Sequence, residues 1–292
     1  MGLFNNYTKP GPGIDKNAPP KKGFDLFFDI FKRRIGALIK LNIMYVLCSL
    51  PAILLYFVIA SGPVLKFVES LLASAQIDEA SQSYYISFLS LFFSMLALTI
   101  LGSGPASAAM SYIMRCFVRD EHVWHMSDFF KKSKENFKQG MIAFIVDFGV
   151  LLTGAYSLTF YCHAYIKNGS VLGLLAMLLL IVFLCLFAFA HFYLYQLMVT
   201  FEDKLLRLYK NSFLLALATF PQCLLAAALI ILAEYIIFNT FVVAVSIVLI
   251  ILFLVAFVRF PAEFFTSRII QTKILENMPE YQAMKGSEEN DG

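Results

Sequence analysis

The sequence predicts an all-α fold: a six-span transmembrane helical bundle of three helical hairpins, with basic interfacial helices on the cytoplasmic side. Two observations predict it. Apolar residues make up 60% of the chain, well above the share of a soluble domain, and they gather in runs long enough to cross a hydrocarbon layer of about 30 Å. Every Lys and Arg except Lys66 and Lys167 falls on one set of alternating segments, and short basic loops stay in the cytoplasm. The expected protein is therefore a multi-pass protein of the cell membrane with both termini inside.

Residues 1–22 carry Lys9-Pro10-Gly11-Pro12-Gly13 and Pro19-Pro20-Lys21-Lys22. They lack the apolar h-region of a signal peptide and read as a disordered cytoplasmic N-terminus. The membrane domain is expected over 23–275. It opens on an interfacial helix in which Phe24, Phe27, Phe28 and Phe31 recur at i, i+3, i+4, i+7, with Asp25 and Asp29 early and Lys32-Arg33-Arg34 late, an arrangement that suits the helix dipole and anionic headgroups.

Six spans follow, at Ile35 to Ala60, Tyr84 to Leu101, Met141 to His163, Val171 to Thr200, Phe213 to Tyr235 and Thr240 to Phe260. Basic cytoplasmic helices are expected before the odd-numbered spans, at Ile30 to Ile39, Phe129 to Gln139 and Leu205 to Asn211. The second has Ser127-Asp128 as cap candidates, with Phe130, Ser133, Phe137 and Met141 on one face and Lys131, Lys132, Lys134 and Lys138 on the other. Asp128, Phe130, Lys131, Lys134 and Phe137 are the candidate partner-docking surface. The tail, 276–292, is acidic and reads as disordered chain.

Within the spans, Gly102-Ser103-Gly104-Pro105 interrupts a charge-free stretch from Tyr84 to Met114, too long for one straight span. Gly102, Gly104 and Pro105 mark a helix break, either a kink filled by neighbours or a half-helix N-terminus able to hold a polar group. Ionisable groups at this depth are expensive and mark candidate sites. Asp147 in span three and His191 in span four lie at matching depth and can pair, with Asn42 and Gln222 near the same level. This polar layer is open to two readings, a clamp between helices or a site for a solute. Glu234 is expected to reach the outer water, and Arg259 and Glu263 to snorkel at the end of span six.

His122 and His125 lack a third ligand at zinc spacing, so no metal is expected. The five cysteines stand singly and read as packing residues. No P-loop, HExxH or GxSxG motif is present. Neither an enzyme, a cofactor nor a nucleic-acid partner is expected.

Tyr7 to Gly13, Gly104-Pro105-Ala106, Arg115 to His122, Ser127-Asp128-Phe129-Phe130 and Asn136 to Gly140 resemble the YesL-type family of bacterial integral membrane proteins, a domain of unknown function. The resemblance covers residues 1 to about 150. It implies an association with carbohydrate uptake, because members are often encoded near sugar importers, and it carries no catalytic residues. The function expected is an accessory or partner component of an ABC-type carbohydrate importer, in contact with its subunits and with the lipid bilayer. The alternative is a self-contained secondary transporter or channel with a polar site at Asp147/His191.

Overall fold

The computed structural model describes residues 23–72, 79–240 and 243–275. The Tyr7 to Gly13 motif, the rest of 1–22 and the tail from 276 lie outside the described residues. Within them the chain is helical: α1 (Gly23–Leu72), α2 (Glu79–Ile100), α3 (Pro105–Val118), α4 (His125–Glu135), α5 (Phe137–Asn168), α6 (Val171–Met198), α7 (Leu205–Ala218), α8 (Phe220–Thr240), α9 (Val243–Leu249) and α10 (Val255–Lys273), with a π-helical turn, Ile250–Leu254, joining the last two. Among the described residues five helices are long and apolar enough to cross a membrane, or six if the bent pair α2/α3 is one broken span.

The outer surface is what lipid requires. Leu172 and Leu179 of α6 are 77% and 72% exposed, and Val182 of α6 and Leu225 and Leu232 of α8 stand open as well. In water such a belt would aggregate; in hydrocarbon it costs nothing.

Helix α1 merges the expected interfacial helix with the first span. Ile30, Leu38, Leu41, Tyr45, Ala52 and Tyr56 form one buried stripe, and a stripe that keeps helical periodicity gives no reason to break. Its charge-free run, 41–65, is bounded by Lys40 and Lys66, and at 1.5 Å per residue that run crosses a bilayer of about 30 Å with some tilt. The Gly23 end extends past the apolar layer and packs on α10, with the Phe27 ring 5.3 Å from Phe264 and Phe31 5.4 Å from Phe257.

Three other expected elements differ. α7 does not lie apart from the bundle: it packs along α6, placing Tyr209 and Phe213 against Phe187. The fifth span is broken at Thr219 because Pro221 lacks an N–H and its ring would clash with the carbonyl four residues back. α4 starts at His125, earlier than Ser127-Asp128 caps would allow. Asp128 caps from inside the helix, its Oδ2 accepting the Trp124 N–H at 2.8 Å.

Candidate intramembrane polar site

The break between α2 and α3 bends the chain by 57°. Gly102 and Gly104 have φ of 94° and 73°, a region that L side chains enter only at a cost. A Cβ on Gly104 would lie 2.6 Å from the Gly140 carbonyl oxygen, and one on Gly140 would lie 2.7 Å from the Pro105 nitrogen. The break is therefore seated on the first turns of α5, backbone against backbone.

Polar groups freed by the break are met by protein. Tyr56 Oη donates to the Gly102 carbonyl at 2.7 Å, Tyr45 Oη to the Leu98 carbonyl at 3.2 Å, and the Ser103 N–H to Ser107 Oγ at 2.8 Å. Ser49 and Ser103 share a hydrogen bond of 2.6 Å. The break is a filled kink at these groups, as neighbouring helices allow in membrane proteins.

Asn42 is committed in the same way. The π-turn leaves backbone groups without their ordinary partners, and Asn42 takes three of them: its Nδ2 donates to the carbonyls of Ile250 and Ile251 at 2.8 and 2.7 Å, and its Oδ1 accepts the Ala256 N–H at 2.7 Å. Gln222 is exposed on α8 and does not join the buried polar residues. The four-residue layer therefore reduces to Asp147 and His191.

Those two meet. His191 Nε2 is 2.8 Å from Asp147 Oδ1, and both side chains are fully buried. The other ring nitrogen, Nδ1, lies 2.8 Å from the Phe187 carbonyl. A carbonyl only accepts, so Nδ1 carries a proton, and the proton on the Nε2–Oδ1 axis belongs either to an imidazolium facing a carboxylate or to a carboxylic acid facing a neutral ring. In both arrangements one proton lies between the two side chains. Tyr209 of α7 donates to the same Oδ1 at 3.1 Å, which the sequence pattern missed because α7 had no reason to be placed beside α6. Asp147 Oδ2 is enclosed and has no protein partner, as is Tyr195 Oη.

Arg259 and Glu263 form a second centre. They are 4% and 3% exposed, so the snorkelling expectation fails. The helix continues past them to Lys273, and α3 and α6 supply the side chains that meet them. Arg259 Nε donates to Glu263 Oε1 at 3.0 Å, Ser111 Oγ to the same oxygen at 2.5 Å, and Gln196 Nε2 to Oε2. Their i, i+4 spacing around Pro261 was the available signal. Glu234 is also buried, beside Thr99 of α2; it does not reach water.

One turn along α5 and α6 from Asp147 and His191 lies an apolar cavity of about 520 Å³ between α1, α2, α5 and α6. Leu151 and Phe187, one turn from Asp147 and His191, line it together with Tyr56. The volume is in the range of small-molecule sites.

At the basic face, Phe130 and Phe137 are 51% and 55% exposed and Lys131 and Lys134 open to solvent, while Phe129, not Phe130, enters the core. Lys132 donates to Glu135 at 2.7 Å, and that hydrogen bond, with the lysine charge behind it, holds the Glu135 carboxyl below its ordinary value. Among the described residues no group of His, Cys, Asp and Glu side chains could hold a metal ion.

A family model described as "Protein of unknown function, DUF624" matches residues 84–158, which run from α2 through the break, α3 and α4 to Leu158 of α5. The matched stretch contains the Gly104/Gly140 contact and Asp147, but neither His191 nor Arg259. No curated protein and no solved structure matches the chain at a significant level.

Proposed function

We propose that this chain is a non-enzymatic membrane protein that moves a solute, with Asp147, His191 and Tyr209 as its site and the face bearing the basic loops turned to the cytoplasm. One observation carries the reading. Two wholly buried ionisable side chains from different spans meet at 2.8 Å, and one carboxylate oxygen beside the contact is unspent. Buried ionisable groups at membrane depth are costly unless they work, and solute sites and proton relays are where they occur. The orientation is supported by the confinement of Lys and Arg to one set of loops.

Proteoliposomes loaded with a pH-sensitive dye test it. On addition of mono- and oligosaccharides, the wild-type chain alone is expected to give solute-dependent proton entry that Asp147→Asn and His191→Ala remove while the thermal midpoint holds. Absence of flux in the wild type, or flux indifferent to both substitutions, would sink the assignment.

A second reading is favoured by α4. An amphipathic helix with Phe130, Lys131, Lys134 and Phe137 outward is a surface for another chain, and the resemblance to YesL-type proteins points to the subunits of a carbohydrate importer. Mild-detergent copurification decides it: transporter subunits recovered with the wild type and lost with Phe130→Ser/Lys134→Glu support the accessory role. A chain that purifies alone, with normal sugar uptake on its deletion, opposes it.

A further inference from the structure

A groove of about 580 Å³ lies where α1 leaves the apolar layer, lined by Lys40, Ile43 and Met44 of α1 and by Trp124, His125 and Met126 at the start of α4. Its charge is positive. Arg33 and Arg34, one or two turns away on α1, are each held by Asp120 at 2.9 Å, whereas no carboxylate pairs with Lys40 among the described residues. Partial burial, then the charges of Lys40 and Arg34, hold the His125 imidazole below its ordinary value against the opposing pull of Asp128. The Asp128 carboxylate is turned onto the Trp124 N–H.

The walls divide by chemistry. Ile43, Met44 and Met126 are apolar, and Trp124 is 70% exposed with its backbone fixed by Asp128. Lys40 bounds the charge-free run of α1, so the groove sits at the level of the headgroups, where Trp is the preferred side chain. A cation at headgroup level above an apolar wall fits an anion that carries an acyl chain.

We propose that this groove is a binding site for an anionic phospholipid, its phosphate on Lys40 and the first part of its chain against Met44, Trp124 and Met126. The site stands apart from the transport role proposed above and survives or fails without it.

Trp124 is the only tryptophan and reports on the groove directly. In vesicles of phosphatidylcholine, chain-brominated phosphatidylglycerol is expected to quench its fluorescence with an apparent affinity about five-fold above that of brominated phosphatidylcholine, the weight of a single lysine at the surface. Lys40→Ala removes the preference, Lys40→Arg retains it, and Lys66→Ala, at the other end of the charge-free run, leaves it unchanged. Equal quenching by the two lipids overturns the site, as does a preference that survives Lys40→Ala. Relief of the quenching by millimolar inorganic phosphate would show a site for free phosphate instead, and overturns the lipid assignment.

Discussion

Asn42 and Asp147 are both fully buried polar side chains on apolar spans, and they differ in how much of their hydrogen-bonding capacity is spent. Asn42 uses its carbonyl oxygen once and its amide twice, all on backbone of the π-turn. Asp147 uses one oxygen, on His191 and Tyr209, and leaves the other empty. A side chain whose capacity is exhausted by its own fold has nothing to offer a ligand, and its removal is felt in stability. One with an open acceptor in a dry setting can take a ligand or a water, and its removal is felt in function. The Arg259/Glu263 centre belongs mainly with Asn42: Ser111 and Gln196 complete the carboxylate, and Gln196 Oε1 is left over.

Substitutions test that division, and the largest effect is expected at Arg259. Arg259→Met leaves Glu263 in the bundle with no cation, a loss of about 3 to 5 kcal/mol for a broken buried pair. Arg259→Met combined with Glu263→Leu removes both charges, and most of the stability is expected to return. A double variant as unstable as the single one in a detergent melt would show that the centre does more than hold helices.

Asn42→Leu comes next. It strips the Ile250 and Ile251 carbonyls and the Ala256 N–H of their partner, at about 1 to 3 kcal/mol for leaving such groups unsatisfied. Hydrogen exchange of the π-turn amides reads it, with faster exchange expected around Ala256 and little change at Asp147. Gly140→Ala is expected to cost a similar 1 to 3 kcal/mol, as overpacking does, since its Cβ would meet Pro105 backbone, which cannot step aside. Gly149→Ala, where a Cβ meets nothing within 4 Å, is the control expected to leave the melt unmoved.

At Asp147 the comparison predicts the reverse pattern. Asp147→Asn keeps size and supplies a donor for a bare His191 Nε2, so a stability change of about 1 kcal/mol or less is expected, within the range of a single exchanged hydrogen bond, alongside loss of proton-linked flux. A large loss of stability with flux intact would move Asp147 into the company of Asn42.

How far these centres were legible in the sequence follows from what each depends on. Depth along a span is arithmetic, so Asp147 and His191 could be matched across adjacent antiparallel helices. Rotation about the helix axis is set by packing, so the sequence did not exclude Gln222 from the layer, though it stands exposed. Asn42 looked like a site because the π-turn it serves lies more than 200 residues away and has no local signature in Ile250–Leu254. Arg259 and Glu263 read as snorkelling residues because hydropathy ends the sixth span at Phe260, whereas the helix continues to Lys273. The broken helix was readable from Gly102 to Pro105. What fills it, Tyr45, Tyr56 and Gly140, was not, since each arrives from another element.

The smallest effect is expected outside the apolar layer, where Asp120 joins α1 to the loop after α3. Its φ of 58° is one an aspartate tolerates, and its carboxylate takes Arg33 and Arg34 at 2.9 Å each. Partial burial pushes the carboxyl up, but the hydrogen bonds and charges of the two arginines outweigh it and hold Asp120 below its ordinary value. A carboxyl depressed in the folded state contributes stability that is fully present above its unfolded pKa of about 3.9 and is lost as pH falls through the lower folded value. Half the side chain is open to solvent, so screening limits the contribution to about 1 kcal/mol or less. The melting midpoint is therefore expected to fall slightly more between pH 5 and pH 3 for the wild type than for Asp120→Asn, and the difference to shrink in high salt. If both chains lose stability in parallel over that range, the two-arginine contact contributes nothing to holding α1 against the α3–α4 turn.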